Sequence, residues 1–143
     1  SAESQAVFMK QDIIKNMLDK IRSCGAVALA TGDLSSSLLV RDALPRDIDS
    51  RELIAKGGVG DIIGHVLDAS GGLLDHVVNQ RVIGVSLEDL HNIPNVILAA
   101  GGLHKVPVIR AALRRCFVNS LVTDEQTARA LLQGEDAPAP AGA

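Results

Sequence analysis

The sequence predicts an α/β fold, a mostly parallel sheet with flanking helices and a β-hairpin inserted between them. Three observations lead there. In the second half, short aliphatic runs alternate with a stretch of helical spacing: NVILAA (95–100), KVPVIRAALRRC (105–116) and VNSLVT (118–123). The connections between them are short, which is the pattern of βαβ units and parallel strands. Hydrophobic residues make up 47% of the 143 and charged residues 22%, enough apolar content for one domain with a real core.

Taken in order, Met9, Ile13, Met17, Leu18 and Ile21 lay one apolar stripe along a helix over 9–23, leaving Lys10, Lys15, Asp19 and Arg22 for solvent. Gly25 ends it, and AVALA (26–30) suits a strand buried on both faces. Thr31-Gly32-Asp33 and Ser35 to Ser37 form a loop, and residues 37–44 can hold a short helical turn before Pro45. Asp49 and Glu52 make an acidic cap for the next helix, which Gly57-Gly58 stops. DIIGHVLD (61–68) and LLDHVV (73–78), joined by ASGG, read as the hairpin; a helix over 61–68 is the alternative, opposed by Gly64 in its middle.

RVIGVS (81–86) reads as a strand, Ser86 and Asp89 as the cap of a short helix ending near Asn92, and Pro94 as its break. The helix over 105–116 turns Val106, Ile109, Leu113 and Cys116 inward. After the strand at 118–123, Thr123 and Gln126 form a capping box for a helix through Gln133. The tail at 134–143, GEDAPAPAGA, has no apolar pattern and is expected to be disordered.

Composition narrows the function. With two Phe and neither Tyr nor Trp, the chain lacks the stacking platforms that single-stranded nucleic acid requires. A net charge of −3 gives no broad basic face for a phosphate backbone. Cys24 and Cys116 fit no metal-like cluster and read as small buried hydrophobes in a reducing compartment, with a disulfide left open. No signal peptide and no apolar run long enough to span a membrane stand in the sequence, so the expected location is the cytoplasm.

Parallel strands put their C-terminal ends on one edge of the sheet, where α/β folds bind ligands. The loops after Ala30, Val85, Ala100 and Val122 are therefore the ones to inspect. Gly101-Gly102 lies on that edge, followed by Lys105 and by Pro107 in the first helical turn. Two readings stay open: a plain turn with a solvated lysine, or a seat for an anion at a helix N-terminus, where a bound phosphate would offset the unfavourable lysine. Neither a P-loop nor a G-x-G-x-x-G fingerprint is present. Asp61 is either a turn aspartate or an acceptor for ligand hydroxyls. His65, His76, His91 and His104 have no metal-ligand spacing, and Ser35 to Ser37 no nucleophile elbow, so neither a metal, a cofactor nor a catalytic residue is assigned.

The motifs G-x-V-G-D-I (57–62), a D-x-x-G turn (68–71), N-x-R-V-I-G (79–84), S-L-E-x-L (86–90), A-G-G-x-x-K (100–105) and L-x-T-D-E-x-T-A (121–128) follow one another over 56–132. In order and spacing they resemble the C-terminal part of the effector domain of SorC-type bacterial transcriptional regulators; residues 26–39 are similar too. The resemblance implies an α/β fold like that of sugar-phosphate isomerases, deaminases and CoA transferases. It implies a cleft for a phosphorylated sugar or related metabolite, with Gly101, Gly102 and Lys105 at its phosphate and Asp61 at its hydroxyls, Ile63 close by.

By that resemblance residues 1–133 form the C-terminal portion of the effector domain, without the family's G-x-G-x-T phosphate loop or helix-turn-helix. DNA would be bound only through such a helix-turn-helix, and self-association as a dimer or tetramer would complete the sheet. The leading expectation is an effector-binding and oligomerisation fragment of a carbohydrate regulator, without catalysis and without a membrane partner. A sugar-phosphate isomerase or deaminase and a purely structural dimerisation module are the alternatives.

Overall fold

The computed structural model describes residues 1–133; the tail expected to be disordered, 134–143, lies outside them. The helix expected over 9–23 is α2 (Asp12–Arg22), and a separate helix, α1 (Ala2–Met9), precedes it. Between them Gln11 takes an extended backbone, φ −69° and ψ 134°. Of the apolar stripe only Leu18 is fully buried, while Ile13 and Met17 stay exposed. Periodicity marks which face of a helix is apolar; whether anything covers that face is decided by the rest of the fold.

After α2 come β1 (Ala26–Leu29), the two-residue β2 (Thr31–Gly32), a wide helical turn at Leu39–Ala43 and α3 (Ser50–Ala55). Asp49 caps α3, its carboxylate accepting the Arg51 amide at 2.9 Å, as its spacing from Glu52 suggested. Next are β3 (Gly58–Ile62), β4 (His65–Asp68), a 3-10 turn at Val77–Arg81 and α4 (Leu87–Leu90). Ser86 and Asp89 form a full capping box on α4. The chain ends its described part with β5 (Asn95–Ala99), α5 (Val106–Arg114), β6 (Ser120–Val122) and α6 (Glu125–Gln133).

The strands make two sheets. The expected parallel sheet has the order β1-β5-β6, with Leu29 beside Leu98 and Leu98 beside Leu121. The second, β2-β3-β4, is antiparallel. Helix α5 packs on β2, β3 and β4, and its Val108, Ile109, Ala111 and Ala112 share one core with Ile62, Val96 and Leu98. The two sheets therefore meet at α5. A second core, with Leu34, Leu53, Val66 and Val78, lies apart from the first.

Four local expectations are corrected. The hairpin turns earlier than expected: its arms are β3 and β4, and its turn, Ile63-Gly64, has positive φ at both positions (48° and 83°), as a type I′ turn requires. Residues 73–78 contribute a single bridge, Leu73 to Leu67, and 81–86 form no strand. Both runs are β-prone in composition, but a strand forms only where a neighbour supplies its ladder. Leu113 on α5 and Cys116 just beyond its end face outward, and Cys24 and Cys116 are both exposed free thiols. Finally, α6 is capped by Asp124, whose carboxylate accepts the Thr127 amide at 2.8 Å, rather than by Thr123. No described helix is long and apolar enough to cross a membrane.

Candidate functional site

A cleft of about 650 Å³ opens beside the end of β1, a volume suited to a small carbohydrate. Three loops build its polar wall. The segment after β2 contributes Asp33, Ser36 and Ser37; the hairpin contributes Asp61 and Ile63; the turn before α5 contributes His104 and Lys105. Ala28 to Ala30 and Leu38-Leu39 supply apolar lining. Of the residues named from sequence, the cleft thus brings Asp61, Ile63 and Lys105 together.

Asp61 stands in β3 opposite Gly32 of β2 and is 9% exposed. A Cβ on Gly32 would overlap Asp61 Oδ1 and meet Ser37 Oγ at 2.9 Å, so this glycine is what gives the carboxylate its place. Asp61 Oδ2 accepts the Gly64 amide at 3.1 Å, and Oδ1 has no donor among the described residues. Burial pushes the Asp61 carboxyl up from the usual carboxylate range, the Gly64 amide opposes that, the Asp33 charge adds to the rise and Lys105 counters it. Ile63 is a β-branched residue held at φ 48°, a conformation that costs about 1–2 kcal/mol. Strain of this kind gathers at ligand sites.

Asp33, 6% exposed, organises the loop after β2. Its Oδ1 accepts the amides of Ser35 (2.7 Å) and Ser36 (2.8 Å) and the Ser35 hydroxyl; its Oδ2 accepts the Ser36 hydroxyl at 3.1 Å. Burial disfavours the charge, yet these donors outweigh it and hold the Asp33 carboxyl at about 2. Across the cleft, His104 Nε2 lies 3.9 Å from Asp33 Oδ2.

Gly101 and Gly102 stand outside the lining. The Gly102 amide donates to Asp124 Oδ2 at 2.7 Å and to the Thr127 hydroxyl at 2.8 Å. Hydrogen bonds from Thr127 and Gly102 hold the Asp124 carboxyl at about 2. The anion that answers the Gly-Gly turn is therefore a carboxylate of the chain itself. A Cβ on Gly101 would approach Asp124 Oδ2 to 2.5 Å, and Gly102 sits at φ 101° with the His104 ring folded over it. The turn locks α6 to the start of α5 and leaves Lys105 at the cleft, where its ammonium pairs with no described carboxylate within 4.0 Å.

Asp33, Ser36 and Ser37 were not singled out from sequence as ligand-binding, and His104, next to the Gly-Gly turn, read better as a surface histidine than as a ligand contact. Their one signal was position, in the loops that follow strands at the sheet edge. Among the described residues no three His, Cys, Asp or Glu gather as a metal site. His65 and His76 serve the interior: His65 Nε2 meets the Val85 carbonyl at 3.1 Å, and His76 Nδ1 accepts the Val78 amide at 3.1 Å.

A carbohydrate-sized cleft at the end of a parallel sheet, walled by buried carboxylates and hydroxyls and edged by one lysine, defines a small-molecule binding domain. The chain belongs to the sugar-binding domain family, which matches residues 1–133. It is similar to the transcriptional regulator LsrR of Enterobacter sp. (strain 638), 29% identical over 92% of this chain and 42% of that protein. The erythritol catabolism regulatory protein EryD of Brucella abortus is 32% identical over the same shares, 92% and 42%. Among solved structures, the sugar-binding domain of a transcriptional repressor from Vibrio fischeri superposes with a TM-score of 0.81 at 29% identity, over 92% of this chain and 53% of that one. The full-length sorbitol operon regulator SorC from Klebsiella pneumoniae has the same fold, with a TM-score of 0.82 at 24% identity over 92% and 43%. The chain spans less than half the length of these two curated relatives.

Proposed function

We propose that this chain is the effector-binding part of a bacterial regulator of carbohydrate metabolism, taking a phosphorylated sugar or related metabolite into the cleft at the end of β1. Asp61 accepts ligand hydroxyls, Ile63 packs against the carbon chain and Lys105 meets the phosphate. Gly101 and Gly102 hold the turn that presents Lys105. The fold relationship is to sugar-phosphate isomerases and deaminases. In the parent regulator the ligand shifts the balance between DNA-binding states through its different affinity for them, and DNA is held by a helix-turn-helix outside these residues.

One observation carries this reading: a buried carboxylate with an unused oxygen shares a carbohydrate-sized cleft with a lysine that has no described partner. Calorimetry against a panel of sugar phosphates tests it. Lys105→Ala is expected to weaken the best binder about tenfold, as loss of a charge-assisted contact does, with the circular dichroism spectrum unchanged. Unchanged affinity removes Lys105 from the site, and turnover of any panel member replaces the reading with an enzyme.

Self-association has its own support. On one face of the parallel sheet Ala28, Ala99 and Ser120 are exposed, Ile97 is half-buried and Val122 is 61% exposed. Parallel sheets are ordinarily covered on both faces, and β1 and β6 are both edges. We assign this face to a second copy of the chain. Sedimentation is expected to give a dimer or tetramer that Val122→Asp converts to monomer; a wild-type monomer at high concentration would refute the assignment.

A further inference from the structure

We propose that Asp33 and Ser36, together with Asp61, form a subsite that reads two adjacent hydroxyl groups, and that the ligand carries a single anionic group, at the Lys105 end. This deepens the effector reading and rests on the same cleft.

The valences of the wall point to a donor-rich ligand. An ionised carboxylate offers about four acceptor positions. Asp61 Oδ2 takes only the Gly64 amide, Asp61 Oδ1 takes no described donor, and Asp33 Oδ2 takes only the Ser36 hydroxyl. Both residues are more than nine-tenths buried, and they line the cleft, where a ligand hydroxyl can take the place of water on the free Asp61 oxygen.

The spacing of the carboxylates comes from the backbone. Gly32 pairs with Asp61 across the β2–β3 ladder, and Asp33 is the next residue. Lacking a Cβ, Gly32 lets Asp61 Oδ1 lie over its own backbone, toward the Asp33 loop. Two carboxylates so placed oppose each other's charge, and Asp33 does act on Asp61 in that sense. Neighbouring hydroxyls, each donating to one carboxylate, relieve that opposition. On the charge side, Lys105 is the one Lys or Arg in the lining among the described residues, set against two carboxylates. A second phosphate would meet Asp33 and Asp61 with no Lys or Arg to balance it, only the His104 imidazole 3.9 Å from Asp33 Oδ2.

The test is an amide-resolved NMR titration of the whole chain with ribitol, 1,5-pentanediol and inorganic phosphate. Ribitol is expected to shift the amides of residues 33–36 and 61–64 saturably. Pentanediol, with the same carbon count and no adjacent hydroxyls, is expected to leave them in place, and phosphate to move the Lys105 amide alone. Asp33→Asn keeps an oxygen for the Ser35 and Ser36 amides and is expected to weaken ribitol about tenfold while phosphate binding stays unchanged. Ser36→Ala, which spares the loop amides, is the second variant and is expected to weaken ribitol too. Ribitol that leaves these amides unmoved, or acts no differently from pentanediol, overturns the subsite, as does phosphate moving residues 33–36. A phosphate response at Lys105 in that case leaves the effector reading standing. A ribitol response without any phosphate response supports the hydroxyl subsite and removes the phosphate from the effector reading.

Discussion

Asp61→Asn is expected to raise the melting temperature of the free protein at neutral pH and to weaken its sugar phosphate by roughly tenfold to a hundredfold. The two effects have one origin. Asparagine retains an oxygen for the Gly64 amide but carries no charge, so it does not suffer the burial that raises the Asp61 carboxyl. Because the folded state holds the Asp61 proton more tightly than the unfolded chain, the wild type is relieved below the ordinary carboxylate range and loses stability as pH rises through the raised value. The advantage of the variant should thus be absent in acid and full at neutral pH. Asp33 and Asp124, both held at about 2, work in the opposite direction: their stabilisation is present above the ordinary range and is lost as pH falls toward that value. They are common to both proteins, so the difference between two thermal-denaturation pH profiles isolates Asp61. A variant less stable than wild type at pH 7 would show that the buried charge contributes to the fold rather than to ligand recognition.

Gly71→Ala is expected to destabilise the protein by about 2–4 kcal/mol, seen as a lower denaturant midpoint with an unchanged slope. Gly71 has φ 86° in the turn after β4, and a Cβ there would overlap the Ala111 carbonyl oxygen and approach Arg115 Cγ to 2.6 Å. The long side chain can move aside; the helical carbonyl of α5 cannot. The turn is tied from within, since Asp68 accepts the Ser70 amide at 2.8 Å and the Gly72 amide at 3.1 Å. Gly57→Ala serves as the control: φ is also positive, 93°, but nothing lies within 4 Å of the added carbon, so only the smaller conformational cost is expected there. Equal losses at the two positions would argue against the close approach to α5.

Much of the local structure was legible because local rules control it. Asp49 and Ser86 cap helices where their spacing from Glu52 and Asp89 placed them, and β1, β5 and α5 formed from aliphatic runs and helical periodicity. The errors fall where the outcome depends on a distant partner. The segment at 81–86 has strand composition but no ladder beside it, and the hairpin turned at Ile63-Gly64 although a β-branched residue is a poor choice for positive φ. Cys116, assigned to the inner face of α5, lies beyond its last turn at φ 55° and points outward.

The site divides the same way. The family motifs singled out Asp61, Ile63 and Lys105, which the fold does bring to one cleft. Nothing in the residue order could show that the Gly102 amide is used by Asp124, 22 residues further on, because that bond exists only once α6 is docked beside α5. Nor could it show Asp33 beside Asp61, 28 residues apart in the chain by their numbers and joined through the pairing of Gly32 with Asp61. The sequence by itself determined the α/β class, the caps of α3 and α4, and the family's residues. Tertiary structure alone decided which glycine makes room for which carboxylate, which amide is already spent, and which face of the sheet stays open. Those outcomes rest on contacts between segments far apart in the chain, and local propensity carries no information about them.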